Sequence, residues 1–197
     1  MDQMKSKLKQ LKSAGKFGFT NPSSHQAMRG ALKRVFDFTM ACIGLLCLLP
    51  FFGVIAIFIK RDSPGPVFYW GPRIGRYGRQ FRMLKFRTMF ETPKSYHGPR
   101  VTSQDDDRVT PFGKWLRDTK LNELPQLWNV LVGDMSLVGP RPEDPTISKT
   151  WPVKIASEIL SVRPGITSPA SVLYRDEENM LHAGEVMQKY LHELSPD

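Results

Sequence analysis

Between Asp37 and Lys60 the chain carries no charged residue, and the run Phe38 to Ile59, FTMACIGLLCLLPFFGVIAIFI, is 22 residues long and almost wholly apolar. A helix needs about 20 such residues to cross a hydrocarbon core. A soluble helix of this length would have no polar side to offer water, so the run is read as a membrane segment. It starts too deep, is too long and lacks a small-residue cleavage pattern for a cleavable leader. Two features favour a segment that enters and returns over one that crosses. Pro50 sits mid-run, where its missing N–H and its ring kink or break a helix. Both flanks are also basic, Lys33 and Arg34 before the run and Lys60 and Arg61 after it, and positive charge stays on the cytoplasmic side. A re-entrant helix over 31–61 is the expectation, with an ordinary span as the alternative.

The charge of the chain is placed around this run. Of a formal net +9, residues 1–34 carry 8 basic side chains against Asp2 alone, and residues 60–150 are also net basic. The first 30 residues read as a basic, flexible or weakly helical arm. Its few aromatics give little for bases to stack on, so anionic membrane lipid rather than nucleic acid is the expected partner. The two cysteines, Cys42 and Cys47, both lie in the apolar run, which excludes a disulfide scaffold and a Cys-based zinc site. Residues 62–197 are then expected to form one domain on the cytoplasmic face, and the sequence leaves its oligomeric state, a homodimer included, open.

Beyond the run, Pro66–Trp70 and Phe81–Met89 flank a Gly/Arg-rich turn and predict a β-hairpin. Residues 91–107 read as a polar loop ending in three aspartates, and 111–121 as a short helix. Leu124, Leu127, Trp128, Leu131 and Val132 follow helical spacing, a stripe for a core or a membrane surface. Asn122 is expected to cap that helix and Gly133 to end it. Further amphipathic helices are expected at 151–162 and 177–194. The fold class is α/β, mostly helical and membrane-associated, with a small hairpin and amphipathic surface helices.

The residues able to do chemistry gather late in the chain. Lys85, Arg87, Arg108, Arg117, Lys120 and Arg141 surround two acids, Glu123 and Asp134. Forked guanidinium donors grip phosphate oxygens, and a hard carboxylate oxygen suits Mg²⁺. A basic face resting on lipid headgroups accounts for the same charges about equally well.

The runs KFRTM (Lys85–Met89), TPFG (Thr110–Gly113), Leu116-Arg117, ELPQLWNVLVGDMSLVGPRP (Glu123–Pro142) and VRPGIT (Val162–Thr167), with KRVFDF before the apolar run, closely resemble the bacterial sugar transferase family, the monotopic polyprenyl-phosphate phosphoglycosyl transferases. The resemblance implies transfer of a sugar 1-phosphate from a UDP-sugar to polyprenyl (undecaprenyl) phosphate. UMP would be released, in a first membrane step of lipid-linked glycan or exopolysaccharide assembly at the cytoplasmic face of the bacterial inner membrane. It also implies Mg²⁺, with Glu123 and Asp134 as candidate ligands, Asp134 otherwise bonding the turn after Gly133. Lys85, Arg87, Arg117 and Arg141 are the candidates for substrate phosphates, Lys85 and Arg87 otherwise anchoring the hairpin to lipid and Arg141 otherwise a surface arginine in a rigid turn. Family members use an Asp-Glu pair whose aspartate attacks phosphorus. Here that pair falls at Asn122 and Glu123, and an amide is a poor nucleophile. An impaired enzyme, a different attacking group and a non-catalytic binder that recruits partners therefore all remain open. Leu49 replaces a serine common before the membrane proline, SPASVLYRDEENML follows VRPGIT in place of the usual continuation, and the chain stops at Asp197 where relatives continue, as a truncated chain or a short member would.

Overall fold

The computed structural model describes residues 24–97, 102 and 106–168. The basic arm up to residue 23 and the helix expected at 177–194 lie outside them. Helix α1 (Ser24–Asp62) runs through Pro50 without interruption, where the sequence suggested a break, and it begins seven residues before the expected boundary. Lys60 and Arg61 in its last turn offset the negative end of the helix dipole.

One stripe of α1 packs on the rest of the chain. Ala41 lies in a core with Met83, Val130 and Met135, and Ile55 and Ile59 share a second core with Phe86 and Leu116. Phe52 meets the Phe86 ring edge-on at 5.1 Å. The ends are tied by polar contacts. Arg34 donates to the carbonyls of Val130 and Leu131. Asp37 is buried and accepts from Ser136 Oγ at 2.7 Å and the Leu137 N–H at 3.3 Å. At the far end Asp62 accepts from the Phe112 N–H. The opposite side of α1 leaves Val35, Phe36, Met40, Ile43, Leu46, Leu49, Val54 and Ile57 exposed.

The expected hairpin forms from β1 (Phe68–Ile74) and β2 (Gln80–Phe86), antiparallel, with Tyr69 opposite Lys85 and Gly71 opposite Met83. Its strands extend closer to the turn than the apolar runs suggested, because Ile74 N–H is also held by Glu143 O at 3.0 Å. Short helix α2 (Pro93–His97) lies in the segment read as a loop. Asp106, expected in a solvated acidic turn, instead takes Arg108 in a forked pair with both side chains buried. Helix α3 (Pro111–Asp118) starts at Pro111 with Thr110 capping the Gly113 N–H.

A 3-10 turn (Leu121–Gln126) leads into α4 (Leu127–Val132), which Gly133 ends at φ 98° as anticipated. Leu127 and Leu131 face the core, whereas Trp128 and Val132 are exposed, so the expected stripe divides. Strand β3 (Ser136–Val138) pairs in parallel with β4 (Gly165–Thr167), and α5 (Val153–Ile159) lies between them in sequence. Neither strand was expected.

Candidate active site

The hairpin and the 3-10 turn meet at one ion pair. Lys85 Nζ, on β2, stands 2.6 Å from Glu123 Oε1, with side chains only 18% and 19% exposed. Asn129 fixes that meeting. Its Oδ1 accepts the Leu84 N–H at 2.9 Å and its Nδ2 donates to Arg82 O at 2.8 Å, so α4 is bonded to the backbone beside Lys85. A buried amide so satisfied both rigidifies and orients what it joins.

Burial by itself would raise the Glu123 carboxyl, but the Lys85 ammonium and the nearby Arg141 outweigh it and bring the group down to about 2. Lys85 is lowered, first by its burial and then by Arg141 and Arg73, against the pull of Glu123. Lys85 and Arg141 thus bear on the Glu123 carboxylate, while Arg73 bears on Lys85 and pairs with Asp144. The hairpin brings Arg141 there through the Ile74–Glu143 backbone bond and an Arg73–Asp144 ion pair of 3.6 Å, and Gly165 N–H holds Pro140 O at 2.8 Å on the other side. Arg141 itself is exposed.

Asn122 does not cap α4, as its sequence position suggested. It is buried inside the 3-10 turn, and its Oδ1 has no hydrogen-bond partner among the described residues. The tight turn, imposed ahead of Pro125, moves the start of α4 to Leu127. A buried oxygen without a donor is costly, and with the carboxylate of Glu123, its neighbour in the chain, it supplies oxygen types suited to a hard cation, which takes one or two protein oxygens and completes its shell with phosphate and water.

Three other expected residues sit apart from this arrangement. Arg87 is buried and makes four hydrogen bonds, to Pro66 O, Ser63 Oγ, Ser63 O and Met89 O. Its guanidinium clamps the end of α1 to the hairpin, and a fork committed to three carbonyls and a hydroxyl has few donors left for a ligand. Arg117 donates to Thr102 Oγ1 and its charge is felt at Asp106. Asp134 is exposed in the turn after Gly133. Among the described residues no three His, Cys, Asp or Glu side chains group as a metal cluster.

The model of the bacterial sugar transferase family matches residues 28–196. The chain belongs to this family. Among curated relatives, an undecaprenyl-phosphate glucose phosphotransferase of Komagataeibacter xylinus is 48% identical over 113 residues, 57% of this chain but 21% of that protein. A putative undecaprenyl-phosphate N-acetylgalactosaminyl 1-phosphate transferase of Bacillus subtilis is 43% identical over 138 residues, 70% of this chain and 72% of that protein. A UDP-glucose:undecaprenyl-phosphate glucose-1-phosphate transferase of Escherichia coli is 40% identical over 146 residues, 72% of this chain and 31% of its own length. The chain therefore spans most of the Bacillus relative and about a fifth to a third of the other two.

In this member of the family the sequence signal missed Arg73 and Asn129. Arg73 was hidden among the turn arginines of the hairpin. Asn129 was visible only as the one polar residue within LWNVLV.

Proposed function

We propose that this chain is a phosphoglycosyl transferase that moves a sugar 1-phosphate from a UDP-sugar to undecaprenyl phosphate and releases UMP, at the cytoplasmic face of the inner membrane. The observation that carries the reading is the Lys85–Glu123 pair with Arg141 and Arg73 drawn around it. Breaking a diphosphate needs fixed positive charge at the non-bridging oxygens, and a preorganised cluster in a partly buried site supplies it. The names of the relatives, undecaprenyl-phosphate sugar-1-phosphate transferases, support the same chemistry.

Glu123 and Asn122 Oδ1 would hold Mg²⁺, which when bound neutralises charge on the diphosphate. Lys85, Arg73 and Arg141 orient the phosphates from the other side. Glu123, ionised throughout the physiological range, keeps Lys85 in place. The acceptor is a lipid, and α1 supports its delivery. Its two ends are tied to one body, which supports an exposed apolar face immersed from one side of the bilayer, with both basic flanks on that side. The helix is continuous through Pro50, so this reading keeps the one-sided topology of a re-entrant segment without its break.

Asn122 lacks the carboxylate needed for attack on phosphorus, so turnover by this chain is slow and Asn122→Asp raises it by at least about 100-fold. The measurement is UMP release from a panel of UDP-sugars with undecaprenyl phosphate and Mg²⁺. No release by either protein, with fold and membrane association intact, rejects the transferase reading. A second reading, a membrane protein that binds nucleotide-sugar without turnover, rests on the same Asn122. It is favoured if UDP binds tightly while Asn122→Asp stays inert.

A further inference from the structure

An exposed aromatic ring, Tyr69, lies on the hairpin strand opposite Lys85 of the ion-paired site. Tyr69, Gly71 and Arg73 alternate along β1 and so share one face of the hairpin. Lys85, the cross-strand partner of Tyr69, is on that face as well and reaches Glu123. The neighbouring Phe68, on the opposite face, stacks on Phe86 at 5.3 Å. Tyr69 stacks on none of the described rings and is 41% exposed.

Gly71 explains how the ring is held. A Cβ at Gly71 would stand 3.0 Å from Tyr69 Cε1 and 3.6 Å from Cζ and Oη. The ring is thus laid along the strand over the glycine, exposed on the hairpin face that carries Lys85 and Arg73. Such an arrangement suits a ligand that joins a planar ring to a diphosphate.

We propose that Tyr69 is the platform on which the uracil of the donor stacks while Arg73, Lys85 and Arg141 take its diphosphate. The inference rests on the transferase reading above and names a specificity-determining residue for it. Stacking of a base on an aromatic side chain corresponds to about a 5- to 100-fold gain in affinity. The relatives' printed names differ in the sugar, glucose or N-acetylgalactosamine, and a ring fixed on a hairpin strand fits the planar, constant end of such donors better than the variable one.

The test is calorimetric titration of the full chain with UDP, UDP-glucose and inorganic pyrophosphate. Tyr69→Ala is expected to weaken UDP and UDP-glucose by the same factor, about 5- to 100-fold, and to leave pyrophosphate within about twofold. Tyr69→Phe should bind like the parent. Gly71→Ala, which keeps the tyrosine and shifts its ring by only a few tenths of an ångström, should stay closer to the parent than Tyr69→Ala. Tyr69→Leu preserves apolar bulk without a π face and provides the same readout if the alanine variant melts early. Unchanged UDP affinity overturns the platform, as does an equal loss for pyrophosphate, which would make the ring a support for the phosphate site. A loss confined to UDP-glucose assigns the ring to the sugar instead. A parent protein that binds pyrophosphate but not UDP rejects the uracil platform, and one that binds neither rejects the transferase reading with it.

Discussion

At Glu123 a single side chain links stability to chemistry. Its carboxyl is held at about 2, against an ordinary value of 4.5. A folded-state value below the unfolded one contributes stability that is full above about pH 4.5 and lost as pH falls towards 2. The difference corresponds to about 3 kcal/mol. Removing one partner leaves the other charge buried alone, so Lys85→Met should cost about 3–5 kcal/mol at pH 7. The double variant Lys85→Met/Glu123→Leu should recover most of that and lose the acid-dependent component. Denaturant titrations of the three proteins from pH 7 down to pH 3 check this, and an equally steep acid loss in the double variant would assign the sensitivity to another carboxylate. Asn122 gives the complementary case. An aspartate there adds a second carboxylate at a buried position, so Asn122→Asp should melt below the parent without divalent cation and gain more from millimolar Mg²⁺. Equal Mg²⁺-induced shifts in melting temperature for the two proteins would remove position 122 from the cation site.

Two glycines show how the elements bring Arg141 into place. A Cβ at Gly165 would lie 2.1 Å from Gly139 N and 2.6 Å from Gly139 O, and one at Gly139 would lie 2.4 Å from Arg163 O. The β3–β4 ladder exists because two backbones touch with no side chain between them. Gly165→Ala must push the strands apart, at about 1–3 kcal/mol, and should lower kcat/KM as well, because Pro140 O, next to Arg141, hangs on the Gly165 N–H. Gly53→Ala is the control: nothing lies within 4 Å of it in α1, so it should be neutral or stabilise by up to about 1 kcal/mol. Melting temperatures and kinetics of both variants test the contrast; a Gly165→Ala protein with unaltered kinetics would detach Arg141 from the ladder. The same elements mark what the sequence could disclose. The hairpin was legible because its apolar runs and turn glycines are local signals. The β3–β4 pair was not, since each strand has three residues and its partner is 29 positions away. Asn122 looked like a helix cap because its neighbours follow cap chemistry, and only the tertiary seat of Pro125 and Gln126 in the interior shows that the turn winds tightly and buries it. Lys85, Glu123 and Arg141 were legible as residue types in a family pattern. Arg87 matched the same pattern, and only its carbonyl partners reveal a structural clamp.

For the whole molecule, the question is which force holds it at a membrane. The net charge of +9 attracts anionic headgroups, a force that falls off within roughly 10 Å at 0.1 M salt and about 3 Å at 1 M. The exposed face of α1 offers a different force, since Phe36, Ile43, Leu46, Leu49 and Ile57 all lie on it and apolar burial does not depend on screening. A chain bound by charge alone leaves the membrane in 1 M salt; a chain with this face immersed does not. Membranes from expressing cells should therefore keep the protein through 1 M NaCl and alkaline carbonate and release it to detergent. Because Arg34 and Asp37 are bonded to the same body as Ile59 and Asp62, an N-terminal tag should remain shielded from protease added to the outside of spheroplasts. Release by salt would reduce α1 to a surface contact, and cleavage of the tag would mean that the helix crosses, which would require its first turns to leave Val130, Leu131 and Ser136 and expose the core around Ala41.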